Sequence, residues 1–228
     1  MQKLLKIGHR GAKGHVAENT AESFHKAFEL GCEGIELDVH LSKDGHVIVI
    51  HDETVDRTTN GKGFVKDMTF SDIKNLQTQS GLKIPTLTEV LNAVKPGKLI
   101  NIELKSADAT SPTAKIIEEF VLEEKYDYDN FIISSFNWET LKVLRQLNSA
   151  IPIGVLTSTD LSLAIAFADF IGAESIHPYF HLLTSENILL MQKKHLKVFT
   201  WTVNERSDIE KMKSFNVDGI ISDYPERI

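Results

Sequence analysis

The sequence of 228 residues has a single cysteine, no long apolar run and fewer basic than acidic residues. The lone cysteine, Cys32, cannot form a disulfide within the chain. No segment approaches the roughly 20 apolar residues that a membrane span needs. The first residues lead into strand-like sequence without the apolar stretch of a signal peptide. These absences predict a cytoplasmic protein that has no stable association with a membrane.

Basic residues are outnumbered, since 25 Lys and Arg stand against 32 Asp and Glu and leave a formal net charge of -7. Nucleic-acid binding depends mainly on clustered basic side chains, so DNA and RNA are not expected partners. With 42% hydrophobic and 25% charged residues, the composition is that of an ordinary globular chain. No Pro/Gly/Ser-rich linker divides the sequence, so we predict a single domain over residues 1–228.

Short β-rich runs alternate with helical patterns along the whole chain. This alternation is typical of βαβ units and a parallel sheet. The predicted strands are Leu4–Gly8, Gly34–Leu41, Leu99–Lys105, Phe131–Ser135, Ile153–Leu156, Ser175–His177, Val198–Val203 and Gly219–Ser222. The predicted helices are Thr20–Leu30, Thr86–Val94, Thr113–Lys125, Trp138–Leu147, Leu161–Phe170, Ser185–His195 and Glu205–Phe215. Eight strands are the number that closes a barrel, so we predict an α/β fold of the (β/α)8 TIM-barrel type.

Two regions depart from the regular alternation. A long polar stretch at about residues 52–84 predicts a small insertion after the second strand, above the barrel mouth. The chain stops soon after its last strand, so we expect the last helix to be short or absent. Asn19 and Thr86 each precede a glutamate by three positions, which predicts that both residues cap the start of a helix.

Three carboxylates interrupt strongly apolar strands. Side chains two positions apart on a strand point the same way, so Glu36 and Asp38 project together, and Glu103 and Lys105 do likewise. Bringing three carboxylates into a partly desolvated cleft is costly unless a cation or a shared proton neutralises them. Because oxygen ligands favour a hard ion, Glu36, Asp38 and Glu103 are predicted to hold one divalent cation, Mg²⁺ or Ca²⁺.

Two histidines end apolar runs and are candidates for acid-base chemistry. His9 follows the first strand and His51 follows Val47–Ile50. Cleavage of a phosphodiester requires activation of an incoming oxygen and protonation of a departing alkoxide, which two imidazoles can supply. Arg10 offers a planar fork for phosphate oxygens, and Lys105 offers a point charge. Three acids, a divalent ion and these two cations leave one positive charge, which suits a monoanionic phosphodiester.

A series of short motifs runs along nearly the whole barrel. The motifs are His9-Arg10-Gly11, Glu18-Asn19-Thr20, Glu36-Leu37-Asp38-Val39, Lys43-Asp44-Gly45, His51-Asp52, Arg57-Thr58-Thr59-Asn60-Gly61, Ile84-Pro85-Thr86-Leu87, Glu103-Leu104-Lys105 and Trp201-Thr202-Val203-Asn204. In order, spacing and residue type they resemble the glycerophosphodiester phosphodiesterase family. Ala17 departs from the family pattern, which places a proline before Glu-Asn-Thr, and this change concerns the rigidity of the loop rather than a chemical group.

The resemblance implies a barrel enzyme that hydrolyses glycerophosphodiesters to glycerol 3-phosphate and an alcohol. It matches Glu36, Asp38 and Glu103 to metal ligands, His9 and His51 to an acid-base pair, and Arg10 and Lys105 to phosphate-binding positions. Trp201 resembles a residue that lines the glycerol pocket, although plain core packing is equally consistent with an indole. Ser135 and His177, at predicted strand ends, are further candidates for the pocket. The expected partner is a small-molecule glycerophosphodiester, and nothing in the sequence indicates an oligomeric state.

Two other functions fit the same sequence. A lysophospholipase D-like lipid phosphodiesterase would need an apolar groove or a membrane-facing loop, which the polar run Asp52–Gly63 does not provide. A non-catalytic glycerophosphodiester-binding protein would use the metal for structure alone, and the presence of both histidines beside the acids argues against it. The residues leave open whether water attacks directly or a glycerol hydroxyl first forms a cyclic phosphate.

Overall fold

Eight parallel strands close into a barrel in the computed structural model, which describes residues 3–228. In chain order the strands are β1 (Leu5–Gly8), β2 (Gly34–Leu41), β3 (Val47–Val49), β4 (Leu99–Leu104), β5 (Phe131–Ser135), β6 (Ile153–Thr157), β7 (Ser175–Pro178), β8 (Lys197–Thr200) and β9 (Gly219–Ser222). All except β3 belong to the barrel, and β1 closes it by pairing in parallel with both β2 and β9. The predicted (β/α)8 TIM barrel is confirmed.

Helices separate the barrel strands, as the alternation predicts. They are α1 (Ala21–Glu29), α2 (Phe70–Asn75), α3 (Leu87–Ala93), α4 (Thr110–Leu122), α5 (Trp138–Leu147), α6 (Leu161–Ile171), α7 (Ser185–Lys193) and α8 (Arg206–Ser214). After β9 the described chain has a single 3-10 turn, Pro225–Arg227, in place of a last helix. Buried apolar side chains between the helices and the strands form the main core. Within residues 3–228, none of the helices combines the length and the apolar character needed to cross a membrane.

β3 is an additional strand that the alternation does not predict. β2 continues past the end of β4, since its last pairing with β4 joins Val39 to Leu104. β3 then pairs antiparallel with this outer part of β2, so the chain turns back toward the barrel mouth. The Ile50 N–H donates to the Asp38 carbonyl at 3.0 Å, which brings the next residue, His51, to the level of the mouth.

The insertion at residues 52–84 contributes to a small apolar cluster that is distinct from the main core. Side chains from the insertion pack against two isoleucines of the returning chain, and the cluster consists of Ile48, Ile50, Val55, Val65, Ile73 and Ile84. A 3-10 turn at Val65–Asp67 and α2 are the helical elements of this segment. Because the cluster is shared with the chain around β3, it anchors the insertion beside the barrel mouth.

One of the two predicted helix caps is wrong. Thr20, and not Asn19, caps α1, because the Thr20 side chain accepts from the Ser23 N–H. Asn19 adopts a left-handed φ of 57°, and its side-chain amide donates to Asp38 Oδ2 at 2.9 Å. The cap at Thr86 is confirmed, since its side chain and the glutamate three positions later form a capping box. Asn19 therefore serves the candidate site rather than the helix.

Several predicted element boundaries differ from the structure by one to three residues. α4 begins at Thr110, earlier than predicted, because Pro112 then lies in the first turn, where a main-chain donor is not needed. The strand predicted to reach Val203 ends at Thr200. The next residue, Trp201, makes only an isolated bridge with Tyr179, the residue that follows β7. Trp201 thus lies just beyond a strand end, where a barrel carries its functional groups.

Candidate active site

Three carboxylates meet at the carboxyl ends of neighbouring barrel strands. Glu36 and Asp38 lie on β2 and Glu103 lies on β4, and the strand register pairs Asp38 directly with Glu103. All three residues are buried, and one carboxylate oxygen from each lies within 4.8 Å of the others. Spacing along β2 sets the common face of the first two acids, and strand pairing adds the third. The structure therefore brings together the three acids that the sequence singles out.

This cluster is electrostatically costly without a cation. Burial, followed by repulsion from Asp38 and Glu103, raises the pKa of Glu36 well above its usual value. Burial and repulsion from Asp38 likewise raise the pKa of Glu103 to about 7. The Oδ1 atom of Asp38 is buried and has no hydrogen-bond partner among the described residues. Three clustered oxygens, one of them without a partner, fit the ligand preference of a hard divalent cation, so these residues could hold one.

Two histidines lie beside the acids, and an aspartate holds each ring through Nδ1. His9 Nδ1 is 2.6 Å from Asp223 Oδ1, and His51 Nδ1 is 2.6 Å from Asp52 Oδ1. A carboxylate can only accept a hydrogen bond, so Nδ1 carries the proton in both rings. The Nε2 atom of each histidine is therefore the nitrogen that remains for chemistry in the cleft.

The two Nε2 atoms have different neighbours. His51 Nε2 is 3.2 Å from the ammonium of Lys105, which can only donate, so this nitrogen is an acceptor. His9 Nε2 lies 4.0 Å from Glu36 Oε2. Burial lowers the pKa of both histidines, against the opposing effect of nearby carboxylates. Both rings thus favour the neutral form before a substrate binds.

Arg10 and Lys105 set positive charge against the acids. The Arg10 main-chain N–H donates to Glu36 Oε2 at 2.9 Å, and its side-chain Nε lies 3.3 Å from Asp38 Oδ2. Arg10 makes these contacts with a left-handed φ of 49°, a conformation that is unusual for a residue other than glycine. The Lys105 ammonium donates to Glu103 Oε1 at 2.8 Å. Burial alone would lower the pKa of Lys105, but the carboxylates of Glu103 and Asp38 outweigh it and raise this pKa.

A cleft of about 110 Å³ joins these polar groups to an apolar wall. Its lining consists of His9, Arg10, Glu36, His51, Asn101, Glu103, Lys105, Phe136, Leu156, Trp201, Thr202 and Ile221. Trp201 is fixed in this wall because its Nε1–H donates to the His177 carbonyl at 2.8 Å. The half-exposed ring of Phe136 meets the indole edge-on, with 5.4 Å between ring centroids. The cleft therefore offers a polar end for a phosphate and an apolar end for a carbon chain.

Ser135 and His177, which the sequence offers as further pocket residues, do not line this cleft. The Ser135 hydroxyl is buried and donates to the Leu104 carbonyl at 2.8 Å. His177 is buried inside the barrel, where its Nε2 lies 2.9 Å from the Ser175 hydroxyl and burial lowers its pKa to about 3. A position at a strand end is thus not sufficient, because these side chains serve the packing of the barrel.

Sequence patterns assign no role to several residues that the structure places in or beside the site. Asp52 and Asp223 hold the histidines, and Asn204 donates to Asp223 Oδ2 at 2.9 Å. Phe136 adds to the apolar wall. A usable signal exists for two of them, since Asp52 directly follows His51 and Asp223 directly follows the last barrel strand.

The closed barrel and the acidic cluster at its mouth define the class of this protein as a barrel enzyme with a candidate divalent-metal site. The model of the glycerophosphoryl diester phosphodiesterase family matches residues 9–227, and the chain belongs to this family of hydrolases. A glycerophosphodiester phosphodiesterase of Caldanaerobacter subterraneus is 42% identical, and the match covers 99% of this chain and 96% of that relative.

Solved structures show the same fold over the whole chain. A glycerophosphodiester phosphodiesterase from Thermotoga maritima is 31% identical with a TM-score of 0.86, covering 99% of this chain and 97% of the other. An Oleispira antarctica phosphodiesterase, solved in complex with its product sn-glycerol-3-phosphate, is 28% identical with a TM-score of 0.89. That match covers 100% of this chain and 95% of the other.

Proposed function

We propose that this chain catalyses the metal-dependent hydrolysis of glycerophosphodiesters to glycerol 3-phosphate and an alcohol, with His9 and His51 as the acid-base pair. The observation that carries the proposal is the meeting of three buried acids with two aspartate-held histidines at one cleft. Membership of the family and the activity named for the Caldanaerobacter relative support the reaction. The product held by the Oleispira enzyme supports the substrate class.

A divalent cation belongs to this proposal as a cofactor. Glu36, Asp38 and Glu103 would hold it, and their oxygen ligands suit Mg²⁺ or Ca²⁺. The unpartnered Asp38 Oδ1 is the feature of this chain that fits such an ion. A cation bound there would offset most of the negative charge of the three acids and would supply positive charge beside the phosphate.

Arg10 and Lys105 bind the phosphate in this proposal. Both cations already lie against the acidic cluster, so a phosphate beside the acids meets them without a large movement of either side chain. The guanidinium supplies directional donors and the ammonium supplies a compact charge. The glycerol moiety then lies along the apolar wall that Trp201 and Phe136 form.

His51 acts as the base. Its Nε2 is an acceptor, since the Lys105 ammonium donates to it, and Nδ1–H is bonded to Asp52. The proton of the attacking hydroxyl or water passes to Nε2 as the new P–O bond forms. The carboxylate of Asp52 stabilises the imidazolium that results.

His9 acts as the acid. In its reactive state Nε2 is protonated, and this proton passes to the departing alkoxide as the P–O bond to the alcohol breaks. Glu36 at 4.0 Å from Nε2 and Asp223 on Nδ1 both stabilise the charged ring. Their two carboxylates favour the imidazolium at the point where a proton has to be given up.

Release of glycerol 3-phosphate from glycerophosphocholine tests this proposal. The assay compares the parent with His9→Ala, His51→Ala and His25→Ala, the last of which changes an exposed histidine on α1. We expect each cleft variant to lose at least about 100-fold in kcat, because general acid-base groups contribute about 10²- to 10⁴-fold. The α1 variant should keep the parent rate, and a chelator should abolish turnover by the parent.

Two outcomes would contradict the proposal. Turnover within tenfold of the parent in both cleft variants would remove the acid-base assignment. Binding of glycerol 3-phosphate by the metal-loaded parent without any turnover would instead identify a glycerophosphodiester-binding protein.

A further inference from the structure

Arg57 in the insertion binds two carboxylates, one along each of two edges of its planar guanidinium group. Its Nε donates to Asp52 Oδ2 at 2.7 Å and its Nη2 donates to Asp52 Oδ1 at 3.0 Å. The same Nη2 donates to Glu18 Oε1 at 2.7 Å, and Nη1 donates to Glu18 Oε2 at 3.1 Å. Two bidentate ion pairs on one guanidinium hold both acids in fixed orientations.

Each of these acids has a second partner in the proposed machinery. Glu18 Oε1 also accepts from Arg10 Nη1 at 2.8 Å. Asp52 Oδ1 is also the atom that lies 2.6 Å from His51 Nδ1. A continuous chain of hydrogen bonds therefore runs from Arg10 through Glu18, Arg57 and Asp52 to His51.

The charge of Arg57 is what allows the two acids to share this place. The side chain of Glu18 is only 9% exposed, and hydrogen bonds from Arg57 and Arg10 overcome the effect of this partial burial and lower its pKa to about 2. A hydrogen bond from Arg57 is the largest influence that lowers the pKa of Asp52. Without the guanidinium, two neighbouring carboxylates would repel each other, and each would turn toward its remaining partner or toward solvent.

We propose that Arg57 is a positioning residue, which sets Arg10 and His51 relative to each other through Glu18 and Asp52. The insertion is then part of the catalytic apparatus, because it supplies the residue that couples the phosphate-binding arginine to the base. This inference rests on the proposed function. Arg57 itself does not line the cleft, so its effect reaches the substrate only through these two acids.

Arg145 provides a matched control. It is another arginine with many partners, and its Nη2 lies 2.9 Å from Glu174 Oε2 and donates to the Gly172 carbonyl at 2.8 Å. It lies on α5 and is absent from the lining of the cleft. Arg145→Ala therefore removes a comparable set of contacts from a part of the fold without a proposed catalytic role.

The test compares Arg57→Ala, Arg57→Lys and Arg145→Ala by steady-state kinetics and thermal unfolding. We expect Arg57→Ala to lower kcat/KM by about 100-fold, chiefly in kcat, because small displacements of catalytic groups cost rates of this order. Arg57→Lys should recover little, since an ammonium cannot bond two carboxylates bidentately. Arg145→Ala should lower the unfolding midpoint at least as much and leave kcat unchanged.

Chemical rescue supplies a readout that a structural role would not move. The side chain of Arg57 is 48% exposed, so a small cation can reach the space that Arg57→Ala opens. Guanidinium at millimolar concentration should raise kcat of this variant at least tenfold, whereas methylammonium at the same ionic strength should not. Guanidinium should not rescue the double variant Arg57→Ala/Asp52→Asn, because the acceptor has been altered.

Specific outcomes would overturn the inference. They are a kcat for Arg57→Ala within threefold of the parent, an equal loss of kcat in Arg145→Ala, or the same response to guanidinium and methylammonium. An inactive parent would instead refute the proposed function, so the two failures are distinguishable.

Discussion

Asp223 offers the sharpest test of how the site prepares His9. The Asp223 carboxylate accepts from His9 Nδ1–H across 2.6 Å and is itself held by the Asn204 amide at 2.9 Å. Asp223→Asn keeps the shape of the side chain but removes its charge. The amide can also donate to Nδ1, which would move the proton of the neutral ring to Nε2. The imidazolium that His9 needs as an acid then loses its counter-charge.

The contacts set the expected size of the effect. A hydrogen bond to a charged group is worth about 1.5–3 kcal/mol. Each 1.36 kcal/mol of activation free energy changes a rate tenfold, so kcat should fall by roughly 10- to 150-fold. KM should change little, because Asp223 does not line the cleft that receives the substrate.

Asp218 is the matched control for this variant. Asp218 directly precedes β9, whereas Asp223 directly follows this strand. The Asp218 Oδ2 atom accepts from the Val198 N–H at 2.7 Å, away from the cleft. The assay measures glycerol 3-phosphate release from glycerophosphocholine and from a diester with a p-nitrophenyl leaving group. If His9 is the acid, Asp223→Asn should lose far less activity on the second substrate, since p-nitrophenolate departs without a proton.

Two results would refute this reasoning. One is a kcat for Asp223→Asn within threefold of the parent on glycerophosphocholine. The other is an equal loss on both diesters, which would assign His9 a role other than protonation of the leaving group. Asp218→Asn should keep the parent kcat on both substrates.

Three further predictions concern the acids, the barrel interior and the cysteine. Glu36 and Glu103 have raised pKa values, so Mg²⁺ or Ca²⁺ should release protons from the apo cluster, and this release should shrink as pH rises through about 7. Titration calorimetry in buffers of different ionisation enthalpy measures this proton release. A heat of metal binding that does not depend on the buffer would contradict the prediction. Gly154→Ala would bring the new Cβ into collision with Nε2 of the buried His177. It should lower the free energy of unfolding by about 1–3 kcal/mol in urea, and an unchanged value would contradict this. Burial raises the pKa of Cys32 to about 12, so a disulfide reagent should modify it only on unfolding, and rapid modification of the folded protein would disprove this.

Sequence patterns were sufficient for the barrel and for the choice of the acids, because both depend on local periodicity. Alternating strand and helix patterns predict a parallel barrel, and spacing of two along β2 predicts a common face for Glu36 and Asp38. Local sequence patterns do not specify the register in which two strands pair. That Asp38 lies directly beside Glu103 follows from the pairing of β2 with β4, which the sequence alone does not specify.

The wrong cap at Asn19 shows where local rules fail for a physical reason. Asparagine is a good helix cap, and the spacing to a glutamate supports it, but threonine at the next position is also among the favoured caps. Asp38 then decides between them, since a buried carboxylate oxygen needs a donor and the Asn19 amide supplies one at 2.9 Å. A tertiary demand in the site therefore moves the start of α1 by one residue.

The two aspartates that hold the histidines differ in how far they could be predicted. Asp52 adjoins His51, so a local contact is available before any fold is known. Asp223 lies 214 positions from His9 and reaches it only through closure of the barrel. The β1–β9 register pairs Gly8 with Ser222, and the His9 N–H donates to the Ser222 carbonyl at 2.9 Å. His9 and Asp223, which directly follow these two strand ends, must then be neighbours. The pairing of β1 with β9 that closes the barrel therefore also brings the proposed acid, His9, to its aspartate.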